Sequence, residues 1–420
     1  MITEKLLHYI WQFQYFNHQQ LLSVGGEAIQ IIHPGHLNTN QGPDFLDAKI
    51  KINNTLWVGS VELHINTSDW QAHKHSADKN YNNVILHVVW KDDMYLNLPF
   101  AVIEIQQYVS KILLAKYEEW MNTPSFIPCE KTIKNVPTIT WLAWKERLLI
   151  ERLQQKSTVI LQYAKDSQLH WEEILWWLLA KNFGIKVNSE AFEKMAQSIS
   201  IHTLAKHKHQ IHQTEALLFG QAGLLNQNFV DAYPIMLQKE YQFLQKKYQL
   251  NTIQIPIHFL RMRPANFPTI RLAQLAMLIH NSEHLFSKIK LTNHLKEVKD
   301  FLQVTANDYW HYHYNFDDES QYKLKNLGSQ MVDNILINTV IPILFSYGIY
   351  YKDNIIKDKA MNWLHQISAE KNNITKGFMD IQIEHTSAFD SQALIQLKNN
   401  YCSKKRCLEC AIGNKILKAI

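Results

Sequence analysis

Only four cysteines occur in 420 residues. That is too few for a disulfide framework and excludes a small secreted scaffold stapled by bridges. Glycine and proline are sparse too, 12 and 11 residues, which excludes collagen-like and low-complexity chains. With 46% apolar and 19% charged residues, disorder is excluded as well. No 18-residue window is free of polar residues. The most apolar stretch, residues 334–351, is interrupted by Asn338, Thr339, Pro342 and Ser346, so it is expected as a buried helix and not as a membrane span. The amino terminus opens an amphipathic pattern without the apolar region and cleavage site of a secretory signal, which predicts a cytoplasmic protein with no membrane partner.

What is present is aromatic and basic character. The chain carries 12 Trp, 18 Tyr, 18 Phe and 21 His. Its formal net charge of +5 is uneven. From residue 391 onward six basic side chains, Lys398, Lys404, Lys405, Arg406, Lys415 and Lys418, face one acid, Glu409. The rest of the chain is formally neutral. A basic tail of this kind suits the backbone of DNA or RNA, or an acidic partner, although such runs also serve as plain solvated surface.

Periodicity divides the chain. An amphipathic helix with Leu6, Leu7, Ile10, Phe13 and Phe16 on one stripe precedes Gly25-Gly26. Period-two runs then predict strands at 27–33, 46–52, 56–65, 83–90 and 100–105, with Asn53-Asn54 as a hairpin turn. Helical spacing dominates from residue 137. The expected class is α+β, a mixed α/β sheet domain over 1–120 followed by a large all-α region. Residues 121–136, with Pro124 and Pro128, read as a linker, and 137–420 as a helical domain ending in a cysteine cluster.

Chemistry-bearing residues concentrate between His33 and His87. In the run 56–65 Glu62 and His64 fall on one face of a strand, roughly 7 Å apart at Cα. Gly42-Pro43-Asp44 places a carboxylate just before the preceding strand. Two carboxylates can hold a hard divalent ion such as Mg²⁺ or Mn²⁺ and leave room for water and a phosphate. His64 would act as base or third ligand. The phase is awkward, because the apolar residues of 46–52 are the even ones, which turns Asp44 toward the core unless a bulge intervenes. The bland reading is a half-exposed polar face with Glu62 and His64 hydrogen-bonded to each other. Downstream, Asp69, His73, His75, Asp78 and Tyr81 cluster within a short polar segment. His-x-His chelates a metal from a strand but not from one helical face, so a zinc or manganese site there depends on local backbone. His87, flanked by Leu86 and Val88, is expected as a satisfied interior histidine.

Cys402, Cys407 and Cys410 have Cys-x4-Cys-x2-Cys spacing through the polar segment 403–406. With Cys129 they could hold tetrahedral Zn²⁺ or an iron–sulfur cluster and tie the carboxy terminus to the linker; reduced, packed thiols and a redox or disulfide pair are the alternatives. Arg261 and Arg263 precede a predicted helix near Thr269 and offer a phosphate contact at its amino terminus, or a salt bridge beside a proline turn. Trp310, His311, Tyr312, His313 and Tyr314 alternate ring types, which suits base stacking or, more simply, packing between helices.

The order helix–three strands–helix–strand, with Pro43-Asp44 opening the second strand and Glu62-Leu63-His64 on the third, resembles the PD-(D/E)XK nuclease core over about 80 residues. His64 stands where that pattern has a lysine. Some nucleases of that core carry a cluster built from one distant cysteine and a carboxy-terminal trio; there the lone cysteine precedes the nuclease motifs, whereas Cys129 follows them. More widely, the segments 38–45, 61–64, 68–70, 83–89 and 263–268 and the terminal cysteine trio together resemble a bacterial domain-of-unknown-function family of about this length. The resemblance brings no activity with it. The expected function is a metal-dependent, nuclease-like protein acting on DNA or RNA, with Asp44, Glu62 and His64 at its centre and Arg261, Arg263, Lys404, Lys405 and Arg406 on phosphate. The alternatives are a non-catalytic nucleic-acid or protein-binding module on a degenerate nuclease fold, and another metal-dependent hydrolase built on the Asp69–His75 cluster.

Overall fold

The computed structural model describes residues 2–260 and 262–419. The chain is α+β, a mixed sheet followed by many helices. It forms two compact units, one of Met1–Trp144, Asp380–Ile383 and Leu397–Ile420, the other of Lys145–Met379 and Glu384–Gln396.

The first unit begins with α1 (Glu4–Gln12), whose amino end is capped by the Thr3 hydroxyl accepting the Leu6 N–H at 3.3 Å. Leu6, Leu7, Ile10 and Trp11 are buried and α1 packs on the sheet. The expected stripe runs one turn too far. Gln14 adopts φ 56°, which stops the helix and leaves Phe13 exposed. Six strands follow: β1 (Ile29–His33), β2 (His36–Leu37), β3 (Phe45–Ile52), β4 (Thr55–Asn66), β5 (Val84–Lys91) and β6 (Ala101–Glu104). Their order is β1-β3-β4-β5-β6, with β2 also paired to β3. The pairs β1–β3, β2–β3 and β3–β4 are antiparallel, while β4–β5 and β5–β6 are parallel. The predicted hairpin is present, with Ile52 opposite Thr55.

Two features of β4 set the site. Its amino-terminal half is exposed, Trp57 by 47%, whereas residues 59–64 are buried on both faces, as a strand covered on two sides must be. The half-exposed polar face expected for Glu62 and His64 is therefore not what forms. Gly59 lies where β4 first meets β5. A Cβ there would sit 2.5 Å from both the Asn83 carbonyl oxygen and Ile85 Cγ2, so glycine permits the close approach in which the Ser60 N–H donates to Asn83 O at 2.8 Å.

The parallel crossover from β4 to β5 is short: α2 (Asp69–Ala72), then single 3₁₀ turns at His75–Ala77 and Lys79–Tyr81. After β6 comes α3 (Lys111–Asn122). The stretch expected as a linker packs into this unit, with Ile127, Cys129, Ile133 and Val136 all buried. So does the segment from Leu397 onward, which helical periodicity had grouped with the second region. Periodicity reports how a segment is coiled but not which core it joins.

The second unit is helical. It takes most of α4 (Thr138–Asp166), then α5 (Trp171–Phe183) and further helices that include Ile211–Gln221, Ala232–Tyr248, Pro268–Asn281, Ile341–Tyr350 and Asn354–Gln366. One core runs from Leu149 to Ala388. The run Ser329–Tyr350 is long and apolar enough to cross a membrane, and 72% of its apolar window is buried inside the structure. Trp310 is buried against Phe219 and Phe316, and His311 is buried beside it, whereas Tyr312 is exposed.

Candidate metal centre on the sheet

β3 does not keep a regular pleat. Its register against β4 shifts between Phe45 and Ala48, and Asp47 has φ 58°. This bulge lets Phe45 and the even residues Ala48, Ile50 and Ile52 all be buried. It removes the phase conflict at Asp44. The Gly42-Pro43-Asp44 corner is fixed by the Asn38 amide donating to the Pro43 carbonyl at 2.9 Å, and by the Asn38 N–H donating to Asp44 O at 2.7 Å.

Asp44 and Glu62 are locked together across β3 and β4. The Asp44 N–H donates to Glu62 Oε2 and the Leu63 N–H donates to Asp44 Oδ2, each at 3.0 Å. His8 on α1 reaches the same Asp44 oxygen with Nε2 at 3.1 Å. Glu62 is 4% exposed. Burial, and then the neighbouring Asp44 charge, push its carboxyl up to about 8 from the ordinary 4.5.

Glu62 Oε1 faces imidazoles. It lies 3.5 Å from His64 Nε2 and 3.3 Å from His75 Nε2. His64 Nε2 is also 3.1 Å from His73 Nδ1 and 3.3 Å from His75 Nε2. On its other side His64 Nδ1 lies 2.9 Å from His87 Nε2. His64 is 2% exposed and His87 fully buried. Burial, followed by the surrounding imidazoles, drives His64 down to about 2 and His87 to about 4, so both rings are neutral with lone pairs available. His75 is lowered as well, first by burial.

His73 and His75 converge because Lys74 between them takes the left-handed conformation, φ 61° and ψ 32°. That kink ends α2 and aims two rings of an i, i+2 pair at one point, as a continuous helix cannot. Trp70 forms the base. Its Nε1 donates to Ser76 Oγ at 2.9 Å, and its ring abuts His75, His87, Tyr81 and Phe100. His75 stacks on Tyr81 at 3.9 Å between centroids. His73 is exposed, so the cluster opens to solvent on that side. Asp69 and Asp78 have other work: they accept the N–H groups of Asn66 and Asn80, both at 2.9 Å. The group within metal-ligating distance among the described residues is His64, His73 and His75.

His87 is not the satisfied interior residue expected. It is interior, but its Nε2 contact with His64 Nδ1 makes it part of the cluster, and its Nδ1 has no partner among the described residues. His8 was missed altogether; its only sequence signal is an imidazole within a helix whose neighbours Leu7 and Ile10 are core.

All four cysteines are buried in the first unit and none is in a disulfide. Burial, then the other cysteines, raises the Cys129 and Cys402 thiols, and Cys407 goes to about 12. At Cys410 burial also raises the thiol, against hydrogen bonds from the Gly413 and Ile412 backbone. The carboxy-terminal segment is pinned to residues 121–126 by Lys398 Nζ donating to Phe126 O at 2.6 Å and by Lys405 Nζ donating to Met121 O. Of the basic residues proposed for phosphate, Lys405 is thus engaged with backbone, Lys404 donates to Asn400 Oδ1, and Arg406 pairs with Glu409 and covers the Tyr401 ring. Arg263 is exposed and belongs to the second unit; its carbonyl accepts the Asn266 N–H. Arg261 lies outside the described residues.

No curated protein and no solved structure matches the chain. One family model does, over residues 4–373, a span that holds the whole imidazole–carboxylate cluster and stops short of the cysteine trio. The chain belongs to that family, described as protein of unknown function DUF2851.

Proposed function

We propose that the protein is a metal-dependent hydrolase of DNA or RNA phosphodiesters, with Asp44, Glu62 and His64 at the reaction centre. The observation that carries this reading is the carboxylate pair. Asp44, just before β3, donates its N–H to the Glu62 carboxylate, and its own carboxylate accepts the Leu63 N–H, at the point where the sheet changes from antiparallel to parallel pairing. Two acids this close, one of them buried and pushed up in pKa, form a set that a cation would neutralise. A divalent ion bound there supplies Lewis acidity and a more acidic water. The chain's own residues do the rest: the carboxylates position, His64 sits two residues along on the same face, and His73 leaves a solvent path. The strand order supports the same reading, since three antiparallel strands followed by a crossover to a parallel fourth is the order of the nuclease core that the Pro43-Asp44 and Glu62-Leu63-His64 segments resemble.

The test is cleavage of labelled single- and double-stranded DNA and RNA with added Mg²⁺, Mn²⁺ or Zn²⁺. Asp44→Asn keeps an oxygen for the Leu63 N–H but removes the charge. It should lower cleavage by about 100-fold or more with little change in Tm. Wild-type cleavage by this variant, or by Glu62→Ala, removes the assignment.

The same reading takes Cys129, Cys402, Cys407 and Cys410 as a separate structural centre for Zn²⁺ or an iron–sulfur cluster. What supports it is their common burial in one unit, their electrostatic proximity and the backbone N–H groups aimed at the Cys410 sulfur. Thiols raised this far stay protonated without a metal, and a metal would displace those protons.

A further inference from the structure

The cluster also identifies its ion. We propose that His64, His73 and His75 form a site for a zinc-class transition-metal ion, through His64 Nε2, His73 Nδ1 and His75 Nε2, with Glu62 Oε1, which lies against His64 and His75, as the oxygen donor that completes a tetrahedron. This rests on the hydrolase reading only in that it shares Glu62 and His64 with it.

Distances come first. Donors bound to Zn²⁺ lie about 2.0–2.1 Å from it, so the edges of a regular tetrahedron of such donors are about 3.3–3.4 Å. Four of the six edges measure 3.1, 3.3, 3.3 and 3.5 Å and scatter around the required value on both sides. The His73 and His75 nitrogens lie within 4.8 Å of each other.

Valence comes second. An imidazole nitrogen carries one in-plane proton or one in-plane lone pair, so it can serve one neighbour well. His64 Nε2 has three within 3.5 Å: His73 Nδ1, His75 Nε2 and Glu62 Oε1. Single hydrogen bonds leave at least one of those approaches as an unrelieved contact between lone pairs or between protons. A cation shared by the His64, His73 and His75 nitrogens relieves these contacts, with Glu62 Oε1 beside two of them.

The surroundings complete a ligand shell. His64 Nδ1 lies 2.9 Å from His87 Nε2, and metal binding at His64 Nε2 requires the tautomer in which Nδ1 is the donor of that pair. Glu62 Oε2 accepts the Asp44 N–H, which turns Oε1 toward the imidazoles. His75 is clamped between Tyr81 and Trp70. Three imidazoles and one carboxylate select zinc, or manganese, iron or cobalt, over magnesium, which takes oxygen donors in octahedral array. The left-handed Lys74 is the device that assembles the site, since it brings His73 and His75 onto one ion.

The experiment uses the full chain, purified without chelator and analysed by elemental mass spectrometry, followed by zinc titration after metal removal. The visible spectrum of the Co²⁺-loaded protein reports tetrahedral against octahedral geometry. Cys407→Ser runs in parallel so that metal held by the cysteines is counted separately. His73→Ala is the principal variant, because His73 is exposed and its removal spares the core. The expected result is a zinc-class ion that survives Cys407→Ser, gives a tetrahedral cobalt spectrum, and is bound at least about 100-fold more weakly by His73→Ala. Equal metal content and affinity in wild type, His73→Ala and His75→Ala overturns the site, as does a wild type that takes up no zinc or cobalt there. The hydrolase reading separates cleanly. Metal lost on His73→Ala, with no cleavage of any DNA or RNA by wild type, leaves the site standing and removes the hydrolase. Magnesium-dependent cleavage that persists in His73→Ala, with no ion lost, does the reverse.

Discussion

Trp70 offers the most direct test of how the cluster is held. Its side chain is 2% exposed and touches the rings of His75, His87, Tyr81 and Phe100 at centroid distances of 5.0–5.9 Å. Truncating a buried tryptophan to alanine costs about 3–5 kcal/mol through lost burial and the cavity left behind. Trp70→Phe keeps a ring in place but loses the Nε1–H bond to Ser76 Oγ, so its cost should be about 1–2 kcal/mol. The assay is native-state hydrogen exchange of the β4 and β5 amides, read with excess chelator so that metal linkage does not contribute. Repeating it with saturating zinc adds a second readout. Trp70→Ala frees His75 from its clamp and should also shrink the stabilisation that zinc gives to wild type. A Trp70→Ala loss below about 1 kcal/mol would refute the packing argument. A full loss with unchanged zinc stabilisation would refute the claim that this packing positions His75.

Gly59→Ala drives a methyl group against Asn83 O and Ile85 Cγ2 at the β4–β5 junction and should cost about 1–3 kcal/mol by thermal unfolding; a neutral result means the two strands do not approach there as described. Glu215, fully buried in the second unit and bonded by the Tyr233 hydroxyl and Trp310 Nε1, is raised by burial to about 7 from 4.5. The native state therefore holds a proton that the unfolded chain releases between those values, and stability falls by about 3 kcal/mol as pH rises from 4.5 through 7. Glu215→Gln keeps the acceptor and should remove that slope; a stability difference between the two proteins that stays constant from pH 5 to pH 8 refutes it. Replacing Cys407 with serine should lower the metal content of protein kept reduced, measured by elemental analysis, on the proposal that the four cysteines hold an ion or cluster; an unchanged content reduces those residues to packing.

Much of the sheet was legible because its signals are local. The period-two runs and the Asn53-Asn54 turn need only neighbours in sequence, and the hairpin sits where they place it. The site was legible residue by residue but not as one object. Asp44, Glu62, His64, His73 and His75 all stood out by type and spacing, yet they divided into a carboxylate pair and a separate polar loop. Two backbone facts unite them, the left-handed residues Asp47 and Lys74. Lysine does not advertise a left-handed turn, and Asp47, a residue type that tolerates one, is hidden inside a period-two run that reads as regular strand. His87 was misread for a related reason. An imidazole in an apolar strand looks like a solitary core residue until the parallel register sets it opposite Glu62.

That register also bears on why histidine stands where the nuclease pattern has lysine. At position 64 a lysine would carry its charge on a long stem beside Asp44 and Glu62. Here the position is 2% exposed and its ring is enclosed by three other imidazoles. An ammonium group held among them would be desolvated with only Glu62 to pair with, at a cost of several kcal/mol. A neutral imidazole meets no such cost and offers a nitrogen to each side, one to His87 and one to the cluster. On the metal-site proposal, His64 and the three histidines around it belong together, as softer nitrogen donors beside the carboxylates. Reverting His64 alone to lysine should then fail to restore magnesium chemistry, because His73, His75 and His87 would still surround the new charge. His64→Lys protein that cleaves DNA or RNA with Mg²⁺ better than wild type would show that the imidazoles are bystanders.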